Sequence, residues 1–326
     1  MKIVIPGGSG HLGSILARAL HGEHDVVVLT RGDPIRPWRT VKWDGVTPGN
    51  WIDEIDGADV VINLAGRSVN CRYNAANRAE IMRSRVDSTR AAGHAIASVA
   101  RPPHLWLQAA TATIYAHRYD AANDEEHGIA GWAAEDAPDS WRFSIDVARA
   151  WEAAVDEIRT PRTRRVKMRT AMVMSPERRG AFDLLLRLAR AGLGGRAGDG
   201  RQFVSWIHHE DFVRAIRFLI NKPFIDGVIN LAAPNPLPNA GFMRAIRDGL
   251  GIRTGLPATK GMLEIGSFLM RTESELILKS RRVTPARLLR YGFAFQYPEW
   301  PDAAGALCDE WRALRGRPVS RIAAMW

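Results

Sequence analysis

Short apolar runs alternate with amphipathic stretches along the first half of this chain. The apolar runs have the length of buried strands, and the stretches between them place hydrophobic residues at helical spacing. The predicted strands are 2–5, 25–31, 41–43, 59–63, 105–110 and 165–174. The predicted helices are 12–20, 51–55, 77–97 and 144–158. Because strands separated by helices pair in parallel, the pattern predicts an α/β fold with a doubly wound parallel sheet.

The alternation becomes less regular after residue 175, although a helix at 211–220 and a last strand at 228–231 are still predicted. Prolines at 234–238 mark a break, and the remaining sequence is typical of a mainly helical region. We therefore predict a Rossmann-type domain at 1–175, to which 205–233 return. The prediction assigns 176–204 and 234–326 to a smaller, mainly helical substrate lobe. The glycine-rich loop at 192–201 is either a pocket wall or a surface turn.

The loop after the first strand carries Gly7, Gly10 and Gly13. A dinucleotide pyrophosphate can sit on a helix N-terminus only where the preceding loop lacks side chains that would hold it away. Gly7 and Gly10 permit the tight turn and the close approach, and Gly13 permits close packing of helix and strand. A strand before the loop and a helix after it favour a nucleotide site over a structural turn. The predicted cofactor site also includes Ser9, His11 and Leu12.

The end of the second strand bears on which nucleotide is bound. An NAD-preferring site usually places a carboxylate there for the ribose 2′-hydroxyl, whereas this chain has Thr30 and Arg31, with Arg36 and Arg39 further along. A guanidinium binds a 2′-phosphate through charge-assisted hydrogen bonds. The alternative is that Arg31 is an ordinary solvated arginine. We favour NADP(H) as the cofactor.

Composition narrows the class of protein. A chain of 326 residues that is 46% hydrophobic can bury a large core, and no apolar run is long enough to predict a membrane span. The formal net charge is +10, but the arginines that supply it are spread along the chain, so we do not expect nucleic-acid binding. Cys71 and Cys308 match no metal or disulfide pattern, and the first strand begins at once, so we expect a cytoplasmic protein without metal. The oligomeric state is not indicated.

Several motifs together resemble the extended short-chain dehydrogenases/reductases over nearly the whole chain. They are the glycine loop, the runs 63–66 and 110–115, and the Ile-His-His-Glu-Asp stretch at 207–211. More narrowly, the runs 84–89, 230–236, 282–288 and 292–298 resemble the atypical epimerase-family subgroup, which ends in a C-terminal domain of unknown function. The resemblance implies an NAD(P)-binding fold and an oxidoreductase activity.

The resemblance also implies further cofactor contacts. These contacts lie along the adenosine and pyrophosphate, on the long helix and near the nicotinamide end. The matching residues are Leu64, Ala65, Gly66, Glu80, Arg85, Ala110 and Val173. Without the resemblance, Glu80 and Arg85 would be interpreted as an exposed pair on one helix face.

The catalytic pair of the resembled family is missing. Short-chain dehydrogenases use a tyrosine whose pKa is lowered by a lysine four residues later, and here those positions are Phe143 and Val147. No tyrosine of this chain has a lysine at that spacing. Thr111 matches the family's catalytic hydroxyl.

Candidate proton donors remain. Tyr115, four residues after Thr111, is the closest plausible acid, although a tyrosine at a strand end more often has a packing role. His208 and His209 are further candidates. Water or the substrate itself could also supply the proton.

Three functions are therefore open. The first is an NADP(H)-dependent oxidoreductase of atypical mechanism, with Thr111 and Tyr115 at its catalytic centre, acting on a small organic substrate. The second is a cofactor-binding sensor or regulatory protein without catalysis. Sugar-nucleotide epimerisation is the third, and it suffers most from the missing base.

Overall fold

The computed structural model describes residues 1–33, 37–131, 141–178, 180–259 and 275–315. Its main sheet has seven parallel strands in the order β10-β6-β5-β4-β1-β2-β3. These strands are β1 (Lys2–Pro6), β2 (Asp25–Thr30), β3 (Arg39–Lys42), β4 (Val60–Asn63), β5 (Leu105–Thr111), β6 (Arg164–Thr170) and β10 (Gly227–Leu231). The strand order reverses at β1, which pairs with both β2 and β4. The doubly wound parallel sheet predicted from the sequence is confirmed.

Helices lie between the strands and beyond them. They are α1 (His11–Leu20), α2 (Ile52–Ile55), α3 (Ala75–Ser98), α4 (Arg142–Asp156), α5 (Ala181–Arg190), α6 (His209–Asn221), α7 (Asn239–Leu250), α8 (Glu275–Leu278), α9 (Ala286–Arg290) and α10 (Trp300–Arg315), with a 3₁₀ turn at Ala112–Ile114. In the part of the chain that the structure describes, none of them is long and apolar enough to cross a bilayer. The predicted helices are present, with ends that differ by a few residues.

The two faces of the main sheet bury alternate residues of each strand. On β1, Ile3 and Ile5 join the core on one side of the sheet, while Val4 joins the core on the other side. β2 divides in the same way, with Val26 and Val28 opposite Val27. Side chains of a strand point to opposite faces in turn, so a strand covered by helices on both faces is a continuous apolar run.

A second core lies under the C-terminal helices. It is built from α5, α7 and α10, and its centre is a stack of the Phe242 and Trp300 rings at 4.1 Å between centroids. Phe182 and Trp206 pack edge-on or tilted against the same indole. This second core is consistent with the predicted substrate lobe, whose boundaries stay a prediction.

The predicted single strand at 165–174 is wrong in one respect. The chain leaves the main sheet after β6, where the Ala171 N–H still donates to Leu231, and continues as β7 (Met172–Met174). β7 pairs instead with β9 (Trp206–His208), and Met174 enters the second core. The apolar pattern is the same in both strands, so the sequence does not mark the change of partner.

The glycine-rich loop at 192–201 packs against the segment 255–258. Backbone hydrogen bonds join Gly195 to Leu256 and Gly198 to Ala258, and a Cβ on Gly195 would lie 2.4 Å from the Leu256 carbonyl carbon. Next to it, β8 (Phe203–Val204) pairs with β11 (Leu237–Pro238). Gly194 and Gly195 therefore serve backbone packing, whereas Gly192, Gly198 and Gly200 have the positive φ of turn positions.

Candidate functional site

The glycine loop connects β1 to α1 at the carboxyl edge of the sheet, where the strand order reverses. Gly7 has φ +76°, and a Cβ there would lie 2.7 Å from the Ala65 backbone. A Cβ on Gly13 would lie 2.4 Å from Gly8, which itself packs against the Val28 side chain. Because of these contacts, no residue larger than glycine fits at positions 7, 8 and 13. The packing role of Gly8 was not predicted from the sequence.

Gly10 is different, because only the Gly7 carbonyl oxygen, at 3.3 Å, would meet a Cβ there. It is the N-cap residue of α1 and gives the helix no side-chain cap. The first-turn N–H groups, which include those of His11 and Leu12, have no acceptor within the helix and lie at the positive end of its dipole. This is the geometry that a pyrophosphate requires.

The end of β2 lies beside this loop. The Thr30 hydroxyl is buried and lies 2.7 Å from the exposed Ser9 hydroxyl, and it accepts the Gly32 N–H. Arg31 is exposed at the rim. Arg39 forms an ion pair with Glu54 instead, and Arg36 lies outside the described residues. Among the described arginines of this group, Arg31 is the exposed one that directly follows Thr30, and its contact with a ribose phosphate stays a prediction.

His11 joins the glycine loop to the segment after β7. Its Nε2 lies 3.0 Å from the Ser175 hydroxyl, and its Nδ1 lies 3.9 Å from Glu177, which also pairs with Arg18. Burial lowers the pKa of His11, against the opposing effect of the Glu177 carboxylate. A neutral imidazole so placed orients the loop rather than neutralising phosphate charge.

The glycine loop after β1 and the loop after β4 flank the point where the strand order reverses. In α/β sheets of this type a binding crevice lies there, and these two loops are called its walls below. The Asn63 side chain accepts the Ala65 N–H at 3.1 Å and donates to Gln108, and the Leu64 N–H donates to Pro6. These bonds hold the chain against the glycine loop. Gly66 is exposed, and a Cβ there would lie 3.3 Å from the Arg85 side chain.

Glu80 and Arg85 do not pair with each other. Glu80 forms an ion pair with Arg67, whereas the Arg85 guanidinium lies over the Trp151 ring at 5.0 Å and donates to the Ile81 carbonyl. Burial lowers the pKa of Arg85 to about 10. The alternative of an exposed Glu80–Arg85 pair is therefore wrong. Arg85 lies against Gly66, and the cofactor contacts of both residues stay a prediction.

Thr111 ends β5 and faces the crevice. Its side-chain oxygen accepts the Thr113 N–H at 3.2 Å and remains partly exposed, so its own hydrogen is available to a ligand. Ala110 before it and Val173 on β7 are buried, and their contacts with a cofactor stay a prediction. The structure therefore brings the predicted hydroxyl to the same edge as the glycine loop.

Tyr115 lies in a buried network. Its hydroxyl donates to the Asn230 side chain at 3.0 Å and accepts from Arg169 at 3.0 Å, and Arg169 forms a buried ion pair with Glu152. Burial raises the pKa of Tyr115, against the effect of the Arg169 charge. With both hydrogen-bonding roles of its hydroxyl used, the geometry favours a packing role over proton donation.

Phe143 and Val147 lie on α4, as the resemblance implies. Val147 is buried, and the Phe143 ring meets the Tyr73 ring edge-on at 5.2 Å. Sequence reasoning had examined Tyr73 only for a lysine four residues later. The structure shows that it lies beside the position from which the family tyrosine is missing.

Next to Tyr73 is a polar cluster that sequence reasoning missed, formed by Ser144, Glu275, Lys279 and Arg281. The Ser144 hydroxyl donates to Glu275 at 2.5 Å, and Lys279 Nζ and Arg281 each lie 3.9 Å from the other carboxylate oxygen. Lys279 donates to the Thr113 carbonyl at 2.8 Å, which ties the cluster to Thr111. Glu275 and Lys279 are 3% and 2% exposed, respectively. Their spacing of four residues and the scarcity of lysine were the signals available in the sequence.

His208, His209 and Glu310 bring three ligand-type atoms within 4.8 Å of one another. However, Nδ1 of His208 accepts the Glu210 N–H at 3.2 Å, so the proton of the neutral ring lies on Nε2. Burial and the neighbouring His209 lower the pKa of His208 to about 3. A protonated Nε2 has no lone pair for a metal. It lies 3.7 Å from Glu310, whereas Nε2 of His209 is within hydrogen-bond distance of the same carboxylate, at 3.0 Å.

The chain is similar to known proteins over most of its length. The chain is 28% identical over 306 residues to the epimerase family protein SDR39U1 of Bos taurus, covering 92% of this chain and 97% of that protein. It is 30% identical over 297 residues to the epimerase family protein ML0860 of Mycobacterium leprae, covering 90% and 92%.

A crystal structure of human epimerase family protein SDR39U1 with NADPH superposes with a TM-score of 0.81, at 26% identity, over 95% of this chain and 99% of that chain. The sequence model of the NAD dependent epimerase/dehydratase family matches residues 3–232, and that of the domain of unknown function DUF1731 matches 259–307. The chain therefore belongs to the NAD dependent epimerase/dehydratase family.

Proposed function

We propose that this protein binds NADP(H) and acts as an oxidoreductase of atypical mechanism on a small organic substrate. The observation that carries the proposal is the loop after β1, where Gly7 brings the chain against Ala65 and Gly10 leaves the α1 N-terminus open. The human relative crystallised with NADPH supports the choice of nucleotide.

Different residues of the chain would bind different parts of the cofactor. The first-turn N–H groups of α1 would bind the pyrophosphate, Arg31 would bind the 2′-phosphate, and Leu64 to Gly66 would lie along the adenosine. When bound, the nicotinamide supplies or accepts a hydride at a substrate carbon. Thr111 would donate its hydroxyl hydrogen to the substrate carbonyl oxygen and so orient that group.

The C-terminal helices would supply the substrate side of the crevice, and the protein would act in the cytoplasm. Both cysteines are free, and burial raises the pKa of Cys308 to about 11, which keeps its thiol protonated. Two unpaired thiols without disulfide partners suit a reducing compartment.

A cofactor-binding sensor remains the second candidate. The observation in its favour is that Phe143 and Val147 replace the family's tyrosine and lysine and neither can move a proton. Epimerisation stays third, because it requires proton removal as well as hydride return.

The first experiment is a titration of the purified protein with NADPH and with NADH. Arg31→Ala should lower the preference for NADPH about tenfold or more, since a charged hydrogen bond to the 2′-phosphate is lost. Arg101→Ala is the matched control, because Arg101 is exposed and pairs with Asp56 at the opposite end of the sheet. An unchanged NADPH/NADH ratio in the Arg31 variant would show that another group selects the nucleotide.

A screen of carbonyl substrates that follows NADPH oxidation then separates the two candidates. Turnover that falls in Thr111→Ala would support the oxidoreductase. Tight NADPH binding with no turnover over a broad panel would support the sensor.

A further inference from the structure

The proton donor is the part of the proposed reaction that the family pattern does not supply. The inference below rests on the proposed oxidoreductase function and concerns Tyr73 and its neighbours. Tyr73 lies on the loop between β4 and α3, at the carboxyl edge of the sheet, and its side chain is half-buried.

Three contacts place Tyr73 at the reaction end of the crevice. Its ring lies edge-on to Phe143 at 5.2 Å, so its phenol is next to the position where the family tyrosine is missing. The Arg85 charge acts on it from the Gly66 side, where the cofactor wall lies. Its hydroxyl shares a hydrogen bond with Ser144.

Ser144 continues the connection into the protein. Its hydroxyl donates to the buried Glu275 carboxylate at 2.5 Å, and Lys279 Nζ lies 3.9 Å from the other oxygen of that carboxylate. A hydrogen-bonded row therefore runs from the half-buried phenol through Ser144 to the Glu275 carboxylate, and the buried Lys279 ammonium lies 3.9 Å beyond it. A merely structural ion pair would not need a hydroxyl relay that leads out to the crevice.

We propose that Tyr73 is the proton donor to the substrate oxygen and that Ser144, Glu275 and Lys279 form the relay that reprotonates it. Tyr73 is then the catalytic residue, and the other three are positioning residues that act through it. Phe143 holds the phenol in place through ring contact.

The proton balance is simple. As the carbonyl carbon gains a hydride from the reduced nicotinamide, the carbonyl oxygen takes the Tyr73 proton and becomes an alcohol. The Ser144 hydrogen turns from Glu275 to the phenolate and is transferred to it. Lys279 closes its 3.9 Å gap to Glu275, and its proton returns to Ser144 through that carboxylate. The net change within the chain is one proton lost from Lys279, which solvent replaces before the next turnover.

The electrostatics of the cluster suit this role. Burial and the Arg281 charge lower the pKa of Lys279 to about 7, against the effect of Glu275, so the ammonium can both hold and release a proton near neutral pH. Burial and the Glu275 charge raise the pKa of Tyr73 to about 12, against the effects of Ser144 and Arg85, so the phenol keeps its proton until the substrate takes it.

The test uses the whole protein labelled with [13Cζ]tyrosine, which gives five signals because the chain has five tyrosines. Tyr73→Phe assigns one of them. At fixed pH the Tyr73 signal should differ between NADPH-saturated and NADP⁺-saturated protein, since only the oxidised nicotinamide ring carries a positive charge. The Tyr291 signal, from a hydroxyl that accepts from Arg287 on α9, is the control and should not change.

A second arm needs no cofactor. Ser144→Ala and Glu275→Gln should each shift the Tyr73 signal in the apo protein, because the hydrogen bond or the charge next to the phenol is lost. With a carbonyl substrate in hand, Tyr73→Phe should lower kcat about 100-fold or more and leave the NADPH Kd unchanged, while Tyr291→Phe keeps both.

The outcomes separate the two proposals. If both nucleotides bind and the Tyr73 signal is the same in each, Tyr73 is not at the nicotinamide and the inference is wrong. Apo signals unchanged in both Ser144→Ala and Glu275→Gln would refute the relay. If neither nucleotide binds, the proposed function itself fails, and the inference fails with it for a reason that the titration shows directly.

Discussion

At the scale of single residues, the glycines of the first loop do different things. Gly7 is held by its positive φ and by the Ala65 backbone, and Gly13 is held by contact with Gly8. Gly10 has neither constraint, and its lack of a side chain leaves room outside the fold. A regular three-residue spacing therefore combines two packing positions with one that has open space beside it.

Gly7→Ala should both destabilise the protein and abolish nucleotide binding. A left-handed backbone costs an L-residue about 1–2 kcal/mol, and the close contact with Ala65 adds to this. Urea unfolding and an NADPH titration measure the two effects. Gly22→Ala is the control, because nothing lies within 4 Å of a Cβ there, and it should leave both unchanged. A Gly7 variant that binds NADPH like the wild type would contradict the site geometry.

Tyr115 and Tyr73 show why the choice of proton donor could not be made from spacing. Tyr115 follows Thr111 by four residues, but the fold directs its hydroxyl to Asn230 and Arg169. Tyr73 has no suggestive spacing, yet it meets Phe143 and Ser144 through the tertiary structure. The partners of a phenol that lie 71 or 115 residues away leave no local mark in the sequence.

At the scale of elements, α3 depends on one close contact with its neighbours. A Cβ on Gly93, within this helix, would lie 2.6 Å from the Ile158 side chain and 2.9 Å from the Trp106 ring. Trp106 is fully buried and belongs to the core between the sheet and this helix layer. The glycine therefore sets how near the helix comes to the sheet.

Gly93→Ala should lower the free energy of unfolding by about 1–2 kcal/mol, because overpacking outweighs the gain of about 1 kcal/mol in helix propensity. Gly305→Ala, within α10, is the matched variant, since nothing lies within 4 Å of its Cβ. It should raise stability by about 0.5–1 kcal/mol. Chemical denaturation of the two variants beside the wild type tests the pair, and equal effects in both would contradict the packing argument.

The boundary between β6 and β7 could not be predicted from the sequence. Their joint apolar pattern predicts one strand, whereas the chain changes sheets between them to reach the second core. Most other elements were predicted because strands buried on both faces and amphipathic helices have distinct periodicities.

At the scale of the whole molecule, one carboxylate connects the C-terminal segment to the main domain. Asp211 on α6 is fully buried and accepts the N–H groups of Gln296 and Tyr297, each at 2.8 Å, as well as the Arg214 guanidinium. Sequence reasoning placed Asp211 in a family motif without a partner. Its partners lie more than eighty residues later and lead into α10.

Asp211→Asn should lower the free energy of unfolding by about 1–3 kcal/mol, because an amide replaces a charged acceptor that faces two backbone donors. Hydrogen exchange of the Gln296 and Tyr297 amides should become faster than in the wild type. Asp25→Asn is the control, since Asp25 is exposed at the start of β2. Unchanged exchange at both amides would show that the carboxylate does not hold this segment.

The sequence by itself determined the parallel sheet, the glycine loop and the nucleotide class, because each depends on residues close together in the chain. Periodicity, a turn that requires glycine, and the residue at a strand end are all local properties. Only the tertiary structure shows which glycine of the loop has free space beside it, which arginine pairs with Glu54 and which tyrosine lies beside Phe143. Those features depend on distances between groups far apart in the chain, and burial then changes their charge and pKa in ways that no local pattern encodes.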